Sequence, residues 1–113
     1  RDATIGRRRE GNEEISDVPA ASVIYTPAGT PHSPRFAPDA YLLVVERKRL
    51  PPELDGLLWY CERCNTKLYE EFFPLRDIEN DFPAVFEHFY RSAEHRTCKG
   101  CGHLNPAPEK YRG

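Results

Sequence analysis

Apolar and polar positions alternate in short bursts along most of this chain, and they recur at helical spacing in one stretch. Arg1 to Asp17 is mostly polar, with Arg7, Arg8 and Arg9 followed by Glu10, Glu13 and Glu14. That pattern reads as a solvated hairpin or a frayed end. Val23, Ile24, Tyr25 and Thr26 form a β-rich run that predicts a strand. Pro27, Gly29 and Pro31 then force a turn, and His32, Ser33 and Pro34 follow it directly. Tyr41 to Glu46 is apolar on both faces up to its closing carboxylate, which predicts a second, buried strand. Leu57 to Tyr60 leads into a cysteine pair, and Lys67 to Phe73 alternates as a further strand.

Ile78, Phe82, Val85, Phe86 and Phe89 recur at helical spacing and predict a helix over about Asp77 to Ala93, with Pro83 near its start. The proline-containing tail from Asn105 onward reads as an extended or loose end. Strands joined through proline-glycine turns point to a β-sandwich or small barrel rather than a βαβ unit. The resulting fold class is mostly β.

The composition changes this picture little. Eleven prolines in 113 residues exclude long helices as the main architecture, while 39% hydrophobic residues suffice for a modest core. A formal charge of -2 gives no electrostatic reason to expect nucleic acid or an anionic membrane as partner. No run approaches the length of a membrane span, and no signal peptide opens the chain; a soluble cytoplasmic protein is the expectation.

The four cysteines add chemistry. Cys61-Glu62-Arg63-Cys64 and Cys98-Lys99-Gly100-Cys101 are two C-x-x-C pairs. Each can wrap a tight turn around one ion, with Gly100 and Gly102 relieving the second turn. Together they offer the tetrahedral thiolate set of a zinc ribbon or rubredoxin-like site, for zinc or iron. Two disulfides are the alternative, and no secretory feature supports them. A closed four-cysteine site has no open coordination position, so its role is structural. His103 reads as a surface residue rather than a fifth ligand. Elsewhere His32, Arg35 and Glu46 carry chemical content, although a lone histidine is more often structural. For Glu46 the plain reading is a salt bridge to Arg35 or Arg47.

Two runs, Thr30-Pro31-His32-Ser33-Pro34-Arg35-Phe36 and Leu43-Val44-Val45-Glu46-Arg47-Lys48-Arg49-Leu50, followed by Glu53-Leu54-Asp55-Gly56, resemble the 3-hydroxyanthranilate 3,4-dioxygenase family. The cysteine pairs and the segment Phe86-Glu87-His88-Phe89-Tyr90 match the bacterial and fungal members. The resemblance implies a partial cupin barrel (a double-stranded β-helix or jelly roll) over residues 1–56, then a rubredoxin-like metal-binding segment over 57–113.

It further implies Fe(II)-dependent cleavage of 3-hydroxyanthranilate by dioxygen to 2-amino-3-carboxymuconate semialdehyde, in tryptophan (kynurenine) degradation towards quinolinate and NAD. His32 matches an iron ligand. Arg35 would pair with the substrate carboxylate, and Glu46 would contact the hydroxyl and amino groups and assist proton transfer. The family usually carries one more residue before the arginine, so an ungapped match puts Phe36 at that position. The other iron ligands lie upstream of His32 in the family. Arg1–Gly11 looks like mid-barrel, so the expectation is that the N-terminal half is absent and that this chain alone is inactive. Glu10, Glu13 and Glu14 are not expected as ligands. A homodimer is implied. The competing readings are a non-enzymatic β module bearing a zinc ribbon for protein contacts, and a degenerate cupin without iron.

Overall fold

The computed structural model describes residues 3–112 and divides the chain into two compact units, Arg1–Glu46 and Arg47–Gly113. The polar opening is the hairpin: β1 (Ala3–Arg9) and β2 (Asn12–Val18) pair antiparallel, with Arg9 opposite Asn12. Glu10 and Gly11 form its two-residue turn, both at positive φ (52° and 83°). That is the mirror-image turn whose twist suits a hairpin. β3 (His32–Phe36) adds to the other side of β1, giving the order β2-β1-β3. Pro34 sits in β3 opposite Ile5. A proline cannot donate to a ladder, and an edge strand tolerates that. Reading the prolines around His32 only as a turn missed this strand.

Two expected strands are not strands. Val23–Thr26 and Tyr41–Glu46 lie outside regular structure, and Tyr41, Leu43 and Val45 are almost fully exposed. β-propensity describes how a side chain fits a pleated, half-buried surface and does not supply a partner. Both sides of β1 are taken by β2 and β3. Among the described residues, neither segment joins a ladder.

The second unit follows its pattern closely. β4 (Asp55–Tyr60) and β5 (Lys67–Phe73) form a two-stranded antiparallel sheet. α1 (Ile78–Tyr90) opens on Asp77, whose carboxylate accepts from the Glu79 amide, an N-cap of the kind favoured for aspartate. Pro83 is the sixth helical residue, past the first turn, so the carbonyl of Glu79 lacks its usual amide donor. The helix also stops earlier than expected. Arg91 closes it, and Ser92 caps a separate short helix, α2 (Ala93–Arg96).

Val85 and Phe89 are the buried face of α1. Phe89 stacks on Trp59 of β4 at 4.4 Å with the rings 12° apart. Such a pair adds about 1 kcal/mol to the area it buries. The Trp59 indole donates to the Tyr90 hydroxyl, and Phe82 meets Phe73 edge-on. His88 of α1 reaches the Glu71 carboxylate of β5, which also accepts from Tyr69. The bond to Glu71, with burial, pushes the Tyr69 hydroxyl up to about 12.

The tail is not loose. Asn105 and Ala107 are buried, Tyr111 stacks on Tyr90, and the Arg112 guanidinium donates to the Ala107 carbonyl. Aromatic area at the end of the chain outweighs its proline content. Among the described residues, no helix is long and apolar enough to cross a membrane.

Candidate metal centre and the His32 strand

The two C-x-x-C segments are copies of one loop. In each, the amide of the first cysteine donates to a carbonyl five residues on, Cys61 to Thr66 and Cys98 to His103. The amide four residues on returns to the cysteine carbonyl, Asn65 to Cys61 and Gly102 to Cys98. That fourth position is left-handed in both copies, with φ of 66° at Asn65 and 78° at Gly102. Glycine reaches this region freely and asparagine more readily than other residues. Tyr60 faces Lys67 at the mouth of the first loop, and Thr97 faces Leu104 at the mouth of the second.

The four sulfurs meet, with all ligand atoms within 4.8 Å of one another. Cys61 and Cys101 approach to 3.7 Å and Cys64 and Cys98 to 3.4 Å. A tetrahedron with metal–sulfur bonds of about 2.3 Å has edges of roughly 3.8 Å, so the cluster fits one zinc or iron ion. All four cysteines are free thiols, so the disulfide alternative is not realised. The first cysteine of each pair is buried and the second exposed.

Amides aim at the buried sulfurs. Gly100 and Cys101 donate to Cys98 at 3.3 and 3.4 Å. The Cys101 amide is the main reason the Cys98 thiol lies below its ordinary range. Burial pushes the Cys61 thiol up, but the Cys64 and Arg63 amides and the Asn105 side chain bring it down to about 6. Cys101 is pushed up to about 11: the His103 amide pulls it down, and burial with three neighbouring sulfurs outweighs that pull. Ligand thiols lose their protons to a metal, and here part of that deprotonation is prepaid by backbone amides. His103 does not join the cluster; its Nε2 lies 2.6 Å from the Glu62 carboxylate, tying one loop to the other.

In the first unit, alternation along β3 separates two expected partners. His32 lies opposite Arg7, on the sheet face that holds the buried Ile5. Arg35, three residues on, projects from the other face. There it pairs with Glu13 of β2 at 2.9 Å, reaching across β1. Gly6 makes room for this bridge, since a Cβ there would stand 2.4 Å from the Glu13 Oε2. Gly6→Ala is therefore expected to displace Glu13 and uncouple Arg35. For a half-exposed pair the cost of the lost bridge is at most about 1 kcal/mol. A double-mutant cycle between Glu13→Gln and Arg35→Gln would measure it, and the coupling should vanish in the Gly6→Ala background.

Glu13 is thus the ion-pair partner of Arg35. Arg47 pairs with Glu53, and Arg49 grips Asp55 through two bonds of 3.0 and 2.7 Å. The Nδ1 of His32 lies 2.9 Å from the Thr30 carbonyl. A carbonyl only accepts, so Nδ1 carries a proton, and in the neutral ring the lone pair is then on Nε2. Sequence reasoning passed over Asn105, which it placed at the start of an extended or loose tail.

A mostly β chain whose second unit closes on paired cysteine loops defines the class: a β-rich protein with a rubredoxin-like four-cysteine site. The model of the 3-hydroxyanthranilic acid dioxygenase family matches residues 9–90. The 3-hydroxyanthranilate 3,4-dioxygenase of Xanthomonas oryzae pv. oryzae is 57% identical over 97 residues, covering 84% of this chain and 55% of that protein. The protein of that name from Xanthomonas euvesicatoria pv. vesicatoria is 58% identical over the same shares. That from Bacillus cereus is 38% identical over 86% of this chain and 54% of its own length. The chain belongs to the 3-hydroxyanthranilic acid dioxygenase family, and it spans about half the length of the relatives it matches.

Proposed function

We propose that this chain is part of a cytoplasmic, homodimeric enzyme that opens the ring of 3-hydroxyanthranilate with dioxygen, forming 2-amino-3-carboxymuconate semialdehyde. In a family of this name, the observation that carries the reading is the contact of the His32 Nδ1 with the Thr30 carbonyl. A histidine whose Nδ1–H is held by a backbone carbonyl presents Nε2 in the state a metal requires. Bound Fe(II) would bring the ring substrate and dioxygen together. Two histidines and a carboxylate are the usual set for such iron. Among the described residues, the only group of three or more metal-ligating side chains is the cysteine cluster, so this chain offers His32 as one donor of three.

In this reading Glu46 meets the substrate's hydroxyl and amino groups as a proton acceptor. Arg35 reaches the substrate carboxylate by exchanging Glu13 for it and turning to the His32 face; in this structure it belongs to the opposite face. Cys61, Cys64, Cys98 and Cys101 hold zinc or iron as a structural clamp between the two loops.

Oxygen uptake coupled to loss of 3-hydroxyanthranilate tests the proposal. With Fe(II) supplied, a full-length protein containing this chain is expected to turn over and residues 1–113 alone are not. Inactivity of the longer protein would refute the enzyme reading. Turnover by 1–113 would refute the need for ligands outside it. The unassembled iron set is the one observation favouring a non-enzymatic interaction module, which predicts inactivity of both.

A further inference from the structure

The two cysteine loops match position for position, yet their buried sulfurs do not have equal surroundings. Each receives amides from the second and third residues after it. Cys61 has one donor more: the Asn105 Nδ2, at 3.6 Å, in a fully buried contact. Asn105 lies seven residues after Cys98, and seven residues after Cys61 the chain has Leu68, which has no polar side chain. For the two buried sulfurs, the pseudo-twofold relation between the loops is broken at this side chain.

Asn105 is 5% exposed and its polar atoms are engaged on all sides. Its Oδ1 accepts from the Glu62 amide at 2.9 Å, inside the first loop. Its Nδ2 also lies 3.0 Å from the Arg96 carbonyl and 3.3 Å from the His103 carbonyl, the latter inside the second loop. Its backbone is fixed as well, since its amide donates to the Arg96 carbonyl and the Arg96 guanidinium returns to its carbonyl at 2.8 Å. One amide side chain thus spans both loops and touches one sulfur.

We infer that Asn105 is a positioning residue of the four-cysteine metal centre, holding the two loops in register and placing its amide group against the Cys61 sulfur. This rests on the reading of the cluster as a metal site. An N–H bond to a metal-bound thiolate withdraws charge from it, which alters the electronic spectrum and, for iron, the reduction potential. Partners one shell out from a metal commonly carry 10- to 100-fold of its affinity.

Cobalt(II) substitution of the purified chain reads both effects. Asn105→Asp keeps an oxygen for the Glu62 amide but removes the donor to Cys61 and puts an acceptor in its place. Its sulfur-to-cobalt charge-transfer band is expected at longer wavelength than wild type, with cobalt held 10- to 100-fold more weakly against a chelator. Asn105→Ala, with neither polar half, guards against unfolding by a buried carboxylate; its band should shift the same way and less far. A residue that only supports the fold would lower thermal stability without moving the band. Bands coincident with wild type in both variants, or failure of both to fold at saturating cobalt, would overturn the inference and leave the metal reading standing. A wild-type chain that takes up no cobalt would sink the metal reading, and the inference with it.

Discussion

Replacing Cys98 with serine is expected to unfold the second unit at ambient temperature rather than merely weaken it. The unit has roughly 70 residues, and cores of that size seldom supply more than about 3–5 kcal/mol of net stability. A structural zinc contributes about 10–16 kcal/mol to the folding of small metal domains at neutral pH. Cys98 is almost fully buried, accepts two amides and stands 3.4 Å from Cys64. Serine there removes a thiolate and leaves two buried amides facing a poorer acceptor. The Trp59–Phe89 stack makes the result measurable, because its near-ultraviolet circular dichroism depends on a fixed ring geometry. That signal and the cooperative thermal transition should vanish together in Cys98→Ser, and also in wild type held with a strong chelator. A chelated protein that keeps its transition within a few degrees would show that the aromatic core folds the unit unaided.

The second unit was legible because its sequence signals are local. The spacing of Ile78, Phe82, Val85 and Phe89 fixes one face of a helix, and a C-x-x-C pair specifies a loop whose hydrogen bonds close within six residues. The first unit was less so, because a strand is completed by a partner that its own residues do not encode. Tyr41–Glu46 has every property of a buried strand and lies exposed, while His32–Phe36, broken by Pro34, pairs with β1. The site followed the same division. The cysteine cluster could be read from spacing, whereas the separation of His32 from Arg35 follows from strand alternation and became visible only once β3 was in register with β1. Asn105 was hidden for a related reason: its partners are backbone groups of two distant loops, and no residue pattern announces them.

The second large effect concerns His32 in a full-length protein that contains this chain and cleaves 3-hydroxyanthranilate. His32→Ala is expected to abolish bound catalytic iron and reduce turnover to background, with little change in the stability of either unit. Stability should hold because the His32 side chain is exposed and its hydrogen bond to the Thr30 carbonyl closes over only two residues. An exposed contact of that kind is worth about 1 kcal/mol or less. A structural histidine would give the reverse pattern, with a lower melting temperature and intact turnover. Iron content per protein separates the cases. Loss of about one iron, with the four-cysteine metal retained, assigns His32 to the catalytic ion. Full iron with full activity would remove His32 from the site and leave its place on β3 opposite Arg7 as a matter of sheet geometry alone. Arg35→Ala is the companion measurement: its pairing with Glu13 on the opposite face predicts wild-type iron content whatever becomes of turnover.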